Sequence, residues 1–342
     1  MKPKVVVNGI GAIGKRVAHA VRLQKDMELV GISDVSPTST LKTNLEPEGP
    51  LHGTDLYCSV PDMIEKLRKD MYVKGTLPDL LKSGTVDLVI DCTPEGIGAK
   101  NKETYERFGV KSIFQGGEKA GIAEMTFNTF VNYEQAFGKS CVRVPSCNTT
   151  SLARTMWAID NRIGIESVFV SLVRRAVDPW NPSKGPINSI VPDDVPSHHG
   201  PDLKTIMPNL NIMTMAVKVP TTLTHVHVVS ATLKRDSTTE EVKKVFSETP
   251  RITLLKKKDG YTSTSEIIER YRDLGRPRYD MPEVAIWDEL VSVIGNKLFW
   301  NHAVHSESIV IPENIDCIRA MFGLEKDKWE CVKRTNESLG IK

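Results

Sequence analysis

The chain lacks the marks of several functional classes. It has no excess of basic residues: 45 Lys and Arg stand against 43 Asp and Glu, for a net charge of +2. No electrostatic footprint for nucleic acid follows from that balance. Six cysteines (58, 92, 141, 147, 317 and 331) form no C-x-x-C pair and no zinc spacing. This usage suits a reducing, cytoplasmic setting better than a disulfide framework, and it offers no structural zinc motif. The N-terminal stretch MKPKVVVNGIGAIGKR has only a short apolar run before glycine interrupts it, too short and broken for a signal peptide or a membrane span. Internal repeats and low-complexity tracts are missing, and the run Lys256-Lys257-Lys258 before Asp259-Gly260 reads as a solvated turn.

What remains is a globular composition. The 342 residues are 40% hydrophobic and 26% charged, enough chain for two domains with a sizeable core. KVVVNGIGAIGKRVAHAVRL reads as a buried strand over Lys4 to Asn8, a loop with Gly9, Gly11 and Gly14, and a helix whose apolar face carries Val17, Ala18 and Val21. In a βαβ context, Gly11 lets a pyrophosphate approach the backbone and Gly14 lets helix and strand pack closely. A glycine turn in some other βαβ unit is the plain alternative. The next strand, MELVGISD, ends in Asp34, twenty residues after Gly14. A carboxylate there binds the ribose 2′-OH of NAD and repels the 2′-phosphate of NADP. NAD is therefore favoured, although Ser33, Ser36, Thr38 and Lys42 nearby keep NADP open, and an ordinary acidic loop residue is the bland reading.

Three more strands follow, VDLVID, VKSIFQ and CVRV, each opening into a loop. The last leads into VPSCNTTSLARTMWAIDN. Leu152, Met156 and Ile159 give that stretch helical periodicity, and Ser146, Asn148, Thr149 and Thr150 are all capping types. Cys147 is thus expected at a helix N-terminus, where backbone N–H groups favour a thiolate. A buried structural cysteine is the competing reading. The strand series would deliver this thiol to the ligand-binding edge of a parallel sheet, where it would meet a nicotinamide.

From Ser167 the pattern changes. SVFVSLVRRAVDP, NIMTMAVKVPTT and THVHVVSATLKRD are long β-like runs with no helix between each pair, so a mostly antiparallel sheet is expected. The fold class is α/β: a Rossmann-type doubly wound parallel sheet plus an α+β catalytic domain. The proline-rich segment from Asn181 to Leu210 reads as a functional loop. His225 and His227 share one strand face, and either can serve as a base. With no third ligand at a recognisable spacing, zinc is disfavoured and no metal is expected. His198, His199 and the pair Arg174-Arg175 are candidate anion contacts.

The motifs NGIGAIGKRV, QGGEKA, SCNTTSLAR, LVRRAVDP, KGPINSIVP, VPSHHGPD, MAVKVPTTLTHVHVV and AVHSESIVIPENIDCIRA occur in that order. Spread from about Val5 to Gly340, they resemble archaeal-type glyceraldehyde-3-phosphate dehydrogenase. The resemblance implies that Cys147 is the nucleophile and His225 the general base. It assigns Ser146, Asn148, His198 and His199 to the substrate. Ala12, Ile13, Gly117 and Arg175 become cofactor contacts, beside Gly9, Gly11, Gly14 and Asp34. Two departures stand out: Asp34 replaces a frequent lysine, and Ser306 replaces a glutamine near the nicotinamide.

By resemblance the domains are 1–146, a dinucleotide-binding domain, 147–303, a catalytic domain, and 304–342, a segment returning to the first. A homotetramer is implied in the same way. The implied chemistry is attack of the Cys147 thiolate on glyceraldehyde 3-phosphate, removal of the hydroxyl proton by His225, hydride transfer to NAD(P)+, and cleavage of the thioester by inorganic phosphate. The competing functions are an aspartate-semialdehyde-type dehydrogenase and a dinucleotide-sensing module with Cys147 as a redox switch.

Overall fold

The strand Lys4–Asn8 is apolar on both sides of its pleat, with Val5, Val6 and Val7 fully buried. That is the signature of a parallel sheet covered on both faces. The computed structural model describes residues 2–176 and 188–342. Among these, the chain divides into two units, Met1–Ser146 with Val310–Leu339, and Cys147–Ile309 with Gly340–Lys342. Residues 304–309, Ser306 included, thus cluster with the second unit, and the returning segment begins at Val310.

The first unit is built on strands β1 (Lys4–Asn8), β2 (Glu28–Asp34), β3 (Leu56–Cys58), β4 (Gly75–Thr76), β5 (Leu88–Asp91), β6 (Lys111–Gln115), β7 (Met125–Thr126) and β8 (Cys141–Val144). Their spatial order is β4-β3-β2-β1-β5-β6-β8-β7, and every pairing is parallel. The order reverses between β1 and β5, so the loops after these strands open at a topological switch point, where ligands bind in such sheets. The helix Ile311–Phe322, first of the two in the returning segment, packs on the helix Gly14–Arg22. Its Arg319 reaches Asp26 at 2.8 Å and the Gln24 amide oxygen at 2.7 Å.

The second unit carries β9 (Ile165–Arg175), β10 (Val191–Pro192), β11 (Ile212–Val219), β12 (Thr224–Leu233), β13 (Ile252–Leu255), β14 (Val284–Trp287), β15 (Ser292–Ile294) and β16 (Lys297–His305). The order is β10-β11-β9-β12-β16-β14-β13, with β15 paired to β16. This sheet is more mixed than the runs of β-formers predict. Most pairs are antiparallel, but β9–β11 and β13–β14 are parallel. The sequence connecting β9 to β11 holds the short helix His199–Lys204, which lets that pair run the same way. Residues 181–187, the first part of the proline-rich loop, and 177–180 lie outside the described residues.

Along β12, His225, His227, Val229 and Ala231 are buried while Val228 is exposed. On β16, Leu298, Trp300, His302 and Val304 face the same way, opposite Phe299. This period-two alternation gives the sheet a covered inner face. The helix Cys147–Arg162 packs against β9 and β16. It is buried at every position from Asn148 to Met156, so it is a core helix rather than the amphipathic one its periodicity suggests.

Candidate active site

The helix begins at Cys147 itself. Its first N–H groups have no intrahelical partner, and those of Cys147 and Asn148 face the sulfur and lower its pKa. Burial is the larger influence and raises it, while the charges of Arg175 and Arg174 pull it down. The net direction is upward.

His225 lies beside it, with Nε2 3.3 Å from the Cys147 sulfur. The Arg175 backbone N–H donates to Nδ1 of the same ring at 3.0 Å. Nδ1 is therefore an acceptor, and in the neutral imidazole the proton sits on Nε2, aimed at sulfur. Burial first, then the charges of Arg175 and Arg174, hold the His225 pKa well below the ordinary histidine value. The resemblance implies a ring that receives a proton; in the resting arrangement the hydrogen bonds make it a donor at Nε2. Neither nitrogen of neutral His225 is open to a proton, and Nε2–H is a donor to negative charge.

His227 has a different environment, although it shares the face of His225. It is fully buried, and its Nε2 lies 2.9 Å from the Asn148 amide oxygen. Proximity to sulfur thus separates the two histidines, which the shared face could not. His199 is enclosed as well. It is fully buried, with Asn148 Nδ2 at 3.3 Å from Nε2 and Ser197 Oγ at 3.1 Å from Nδ1. Burial, with the neighbouring His198 and Arg174, pushes its pKa down to about 3. Both ring nitrogens are in hydrogen bonds, and the low pKa leaves the ring uncharged near neutral pH. His198 is exposed and stacks on His199 at 3.9 Å between ring centroids.

Cations gather at one end of the sheet. Arg174 and Arg175 end β9, and Lys218 on β11 lies opposite Arg174. Arg174 pairs with Asp193 at 2.7 Å, and Arg175 Nε donates to Ser306 Oγ at 2.7 Å. Ser306, too short to reach far, is thereby tied to the arginine. Ser146 immediately precedes Cys147 and is half-buried.

In the first unit the glycine loop fits a pyrophosphate. Gly9 has φ +88°, and a Cβ on Gly14 would sit 1.8 Å from the Gly9 carbonyl oxygen, so neither accepts a side chain without rearrangement. A Cβ on Gly11 would meet nothing, leaving open space above the backbone. No side chain caps the helix that starts at Gly14, just after Ala12 and Ile13, as an anion-binding N-terminus requires. Asp34 does more than close β2. Its carboxylate accepts the Ile10 and Val35 N–H groups at 2.7 Å each and that of Ser36 at 3.2 Å, tying the strand end to the glycine loop. Gly117 follows β6 beyond Gly116, whose φ is +102°. Among the described residues no group of His, Cys, Asp and Glu is arranged to hold a metal ion, and no helix is long and apolar enough to cross a membrane.

Sequence reasoning missed Trp300 and His302. Their period-two spacing in WNHAVH is a signal, because it puts both on the inner face beside His227.

A doubly wound sheet with this loop in one unit, and a mixed sheet with a cysteine–histidine pair in the other, define a nicotinamide-dinucleotide-dependent oxidoreductase. Residues 146–273 match the family model described as glyceraldehyde 3-phosphate dehydrogenase, C-terminal domain. Whole-chain relatives agree. The chain is 50% identical to the glyceraldehyde-3-phosphate dehydrogenase of Thermococcus sibiricus, covering 100% of this chain and 99% of the relative. It is 48% identical to glyceraldehyde-3-phosphate dehydrogenase 2 of Methanosarcina barkeri, over 99% and 98%, and 47% identical to the Archaeoglobus fulgidus enzyme, over 100% and 98%. The chain belongs to the archaeal-type glyceraldehyde-3-phosphate dehydrogenase family.

Proposed function

We propose that the protein is a phosphorylating glyceraldehyde-3-phosphate dehydrogenase. It oxidises D-glyceraldehyde 3-phosphate with NAD(P)+ and inorganic phosphate to 1,3-bisphosphoglycerate, reversibly, through a thioester on Cys147. The observation that carries this reading is Cys147 at the first position of a buried helix with the His225 Nε2 3.3 Å from its sulfur.

The ionised sulfur of Cys147 adds to the aldehyde carbon, forming the C–S bond and moving the carbonyl pair onto oxygen. The Nε2–H of His225 and the N–H groups of Cys147 and Asn148 stabilise the negative charge, first on sulfur and then on the alkoxide. The proton of the resting thiol departs to water, because His225 has no nitrogen to receive it. When the alkoxide re-forms its carbonyl, the carbon loses hydride and the thioester remains. When bound, NAD(P)+ would supply the acceptor for that hydride, and Gly9, Gly11, Ala12, Ile13, Gly14 and Gly117 would hold it. A phosphate oxygen then adds to the thioester carbonyl. Collapse breaks the C–S bond, releases the acyl phosphate and returns the thiolate. The cations at the sheet edge, Arg174, Arg175 and Lys218, with the exposed His198, suit the phosphate of the aldehyde and the inorganic phosphate.

The preferred cofactor in this reading is NAD. The Asp34 carboxylate at the end of β2 accepts hydrogen bonds and disfavours a 2′-phosphate. Self-association fits the outer face of the second sheet. Met213, Phe169 and Phe299 are exposed there and lie in one row across neighbouring strands, with Met215 and Val228 in the next. Such a contiguous apolar patch is what a homotetramer covers. A cytoplasmic location accords with six free cysteines.

Initial rates at 340 nm with glyceraldehyde 3-phosphate, for NAD+ and NADP+ with and without inorganic phosphate, test the reading. Phosphate-dependent reduction supports it. Reduction without phosphate means a hydrolysing dehydrogenase, and turnover only with another semialdehyde moves the substrate. NAD binding with no turnover leaves a redox sensor.

A further inference from the structure

Behind the nucleophile lies a line of buried polar side chains that the reaction above does not use. The Trp300 Nε1–H donates to His302 Nδ1 at 3.0 Å. His302 Nε2 is 3.0 Å from His227 Nδ1, His227 Nε2 is 2.9 Å from Asn148 Oδ1, and Asn148 Nδ2 is 3.3 Å from His199 Nε2. His199 Nδ1 is 3.1 Å from Ser197 Oγ, which in turn donates to Thr214 Oγ1 at 2.9 Å. All seven residues are at most 3% exposed.

The chemistry of the groups gives this line one direction. An indole N–H only donates, so His302 Nδ1 accepts and its proton sits on Nε2. His227 Nδ1 must then accept, and its Nε2–H donates to the Asn148 oxygen. The Asn148 amide nitrogen donates to His199 Nε2, which leaves the His199 proton on Nδ1, facing Ser197. Turning the amide over would set its NH2 against the His227 N–H and its oxygen against the His199 lone pair. Two buried bonds would be lost at once, each a substantial penalty in a dry interior. Ser151 Oγ is also 3.3 Å from His227 Nδ1, but its proton goes to the Asn148 carbonyl at 2.9 Å, tightening the same turn.

We propose that Trp300, His302 and His227 are positioning residues for the reaction: their one-way hydrogen-bond line fixes the Asn148 side chain and so holds the helix start whose N–H groups face the Cys147 sulfur. The line begins at a fixed donor on β16, crosses to β12 at the directly paired position His227–His302, and ends at the residue after the nucleophile. This rests on Cys147 being the nucleophile. The tautomers, however, are read without any turnover.

The test uses the whole protein labelled with 15N-histidine, which has only eight histidines to assign. Long-range 1H–15N correlation is expected to find the proton on Nε2 in His302 and His227 and on Nδ1 in His199. In Trp300→Phe, folded by circular dichroism, the fixed donor is gone. His302 is expected to lose its single tautomer, and kcat to fall roughly 10- to 100-fold with KM changed less than about threefold. His302→Leu is expected to lower kcat by a similar factor. His302→Gln, which can accept from Trp300 and donate to His227, is expected to restore most of kcat. A proton on Nε2 of His199 in the unsubstituted protein overturns the proposal. So does full kcat in folded Trp300→Phe and His302→Leu, or a His302→Gln protein no better than His302→Leu. If Cys147 is not the nucleophile, the tautomers still appear while Cys147→Ala keeps its turnover, which separates the two failures.

Discussion

The Arg175 backbone N–H donates to Nδ1 of His225 at 3.0 Å, and this bond decides which way the proton between His225 and Cys147 points. A donor at Nε2 and a base at Nε2 make different demands on a substitute. His225→Leu removes the donor and is expected to lower kcat by roughly 10²–10³-fold, the usual cost of one oxyanion donor. His225→Gln keeps an N–H and is expected to retain at least about tenfold more kcat than the leucine variant. Equal loss in both, measured by steady-state rates, would return His225 to the role of base.

The thiol pKa follows from the same contacts. Burial raises it above the ordinary value, and the arginines and helix N–H groups offset only part of that. Alkylation of the cofactor-free protein by iodoacetamide is expected to accelerate with pH through an ionisation above that of an ordinary free cysteine. Quantifying Cys147 modification by mass spectrometry between pH 5 and 10 checks it. A reaction rate already at its plateau at pH 6 contradicts it.

Acid stability has a definite sign. His199 and His302 have folded-state pKa values lowered to about 3 by burial, against ~6.5 in an unfolded chain. Between those values the unfolded chain binds more protons, so stability is full above pH ~6.5 and is lost as pH falls towards 3. Each such histidine is expected to cost up to about 1.4 kcal/mol per pH unit in that window. Urea unfolding at pH 7, 6 and 5 measures the slope, which His302→Gln should make shallower.

These features divide by how far they reach along the chain. β1 was legible because a buried apolar run stops at glycine, and the observed strand has the expected limits, Lys4–Asn8. β3 and β4, Leu56–Cys58 and Gly75–Thr76, are too short to carry a period. The parallel pairing of β9 with β11 was hidden because strand runs alone do not say which neighbour they choose. Cys147 was legible from its capping neighbours. The polarity of His225 depends on a backbone N–H fifty residues away, and the direction of the histidine line depends on Trp300. No local pattern encodes either.

Cofactor choice is tested at Asp34. Replacing it with serine removes a carboxylate that also accepts the Ile10 N–H at 2.7 Å. The ratio of kcat/KM for NAD+ over NADP+ is expected to fall about 10- to 100-fold, the worth of one charge-assisted hydrogen bond. An unchanged ratio would place the discrimination elsewhere.

The most direct measurement is NAD(P)H formation at 340 nm from glyceraldehyde 3-phosphate, with and without inorganic phosphate, by the unsubstituted protein and by Cys147→Ala. The account predicts steady, phosphate-dependent turnover that Cys147→Ala abolishes while dinucleotide binding by calorimetry persists. Turnover by folded Cys147→Ala, or a rate indifferent to phosphate, would contradict it.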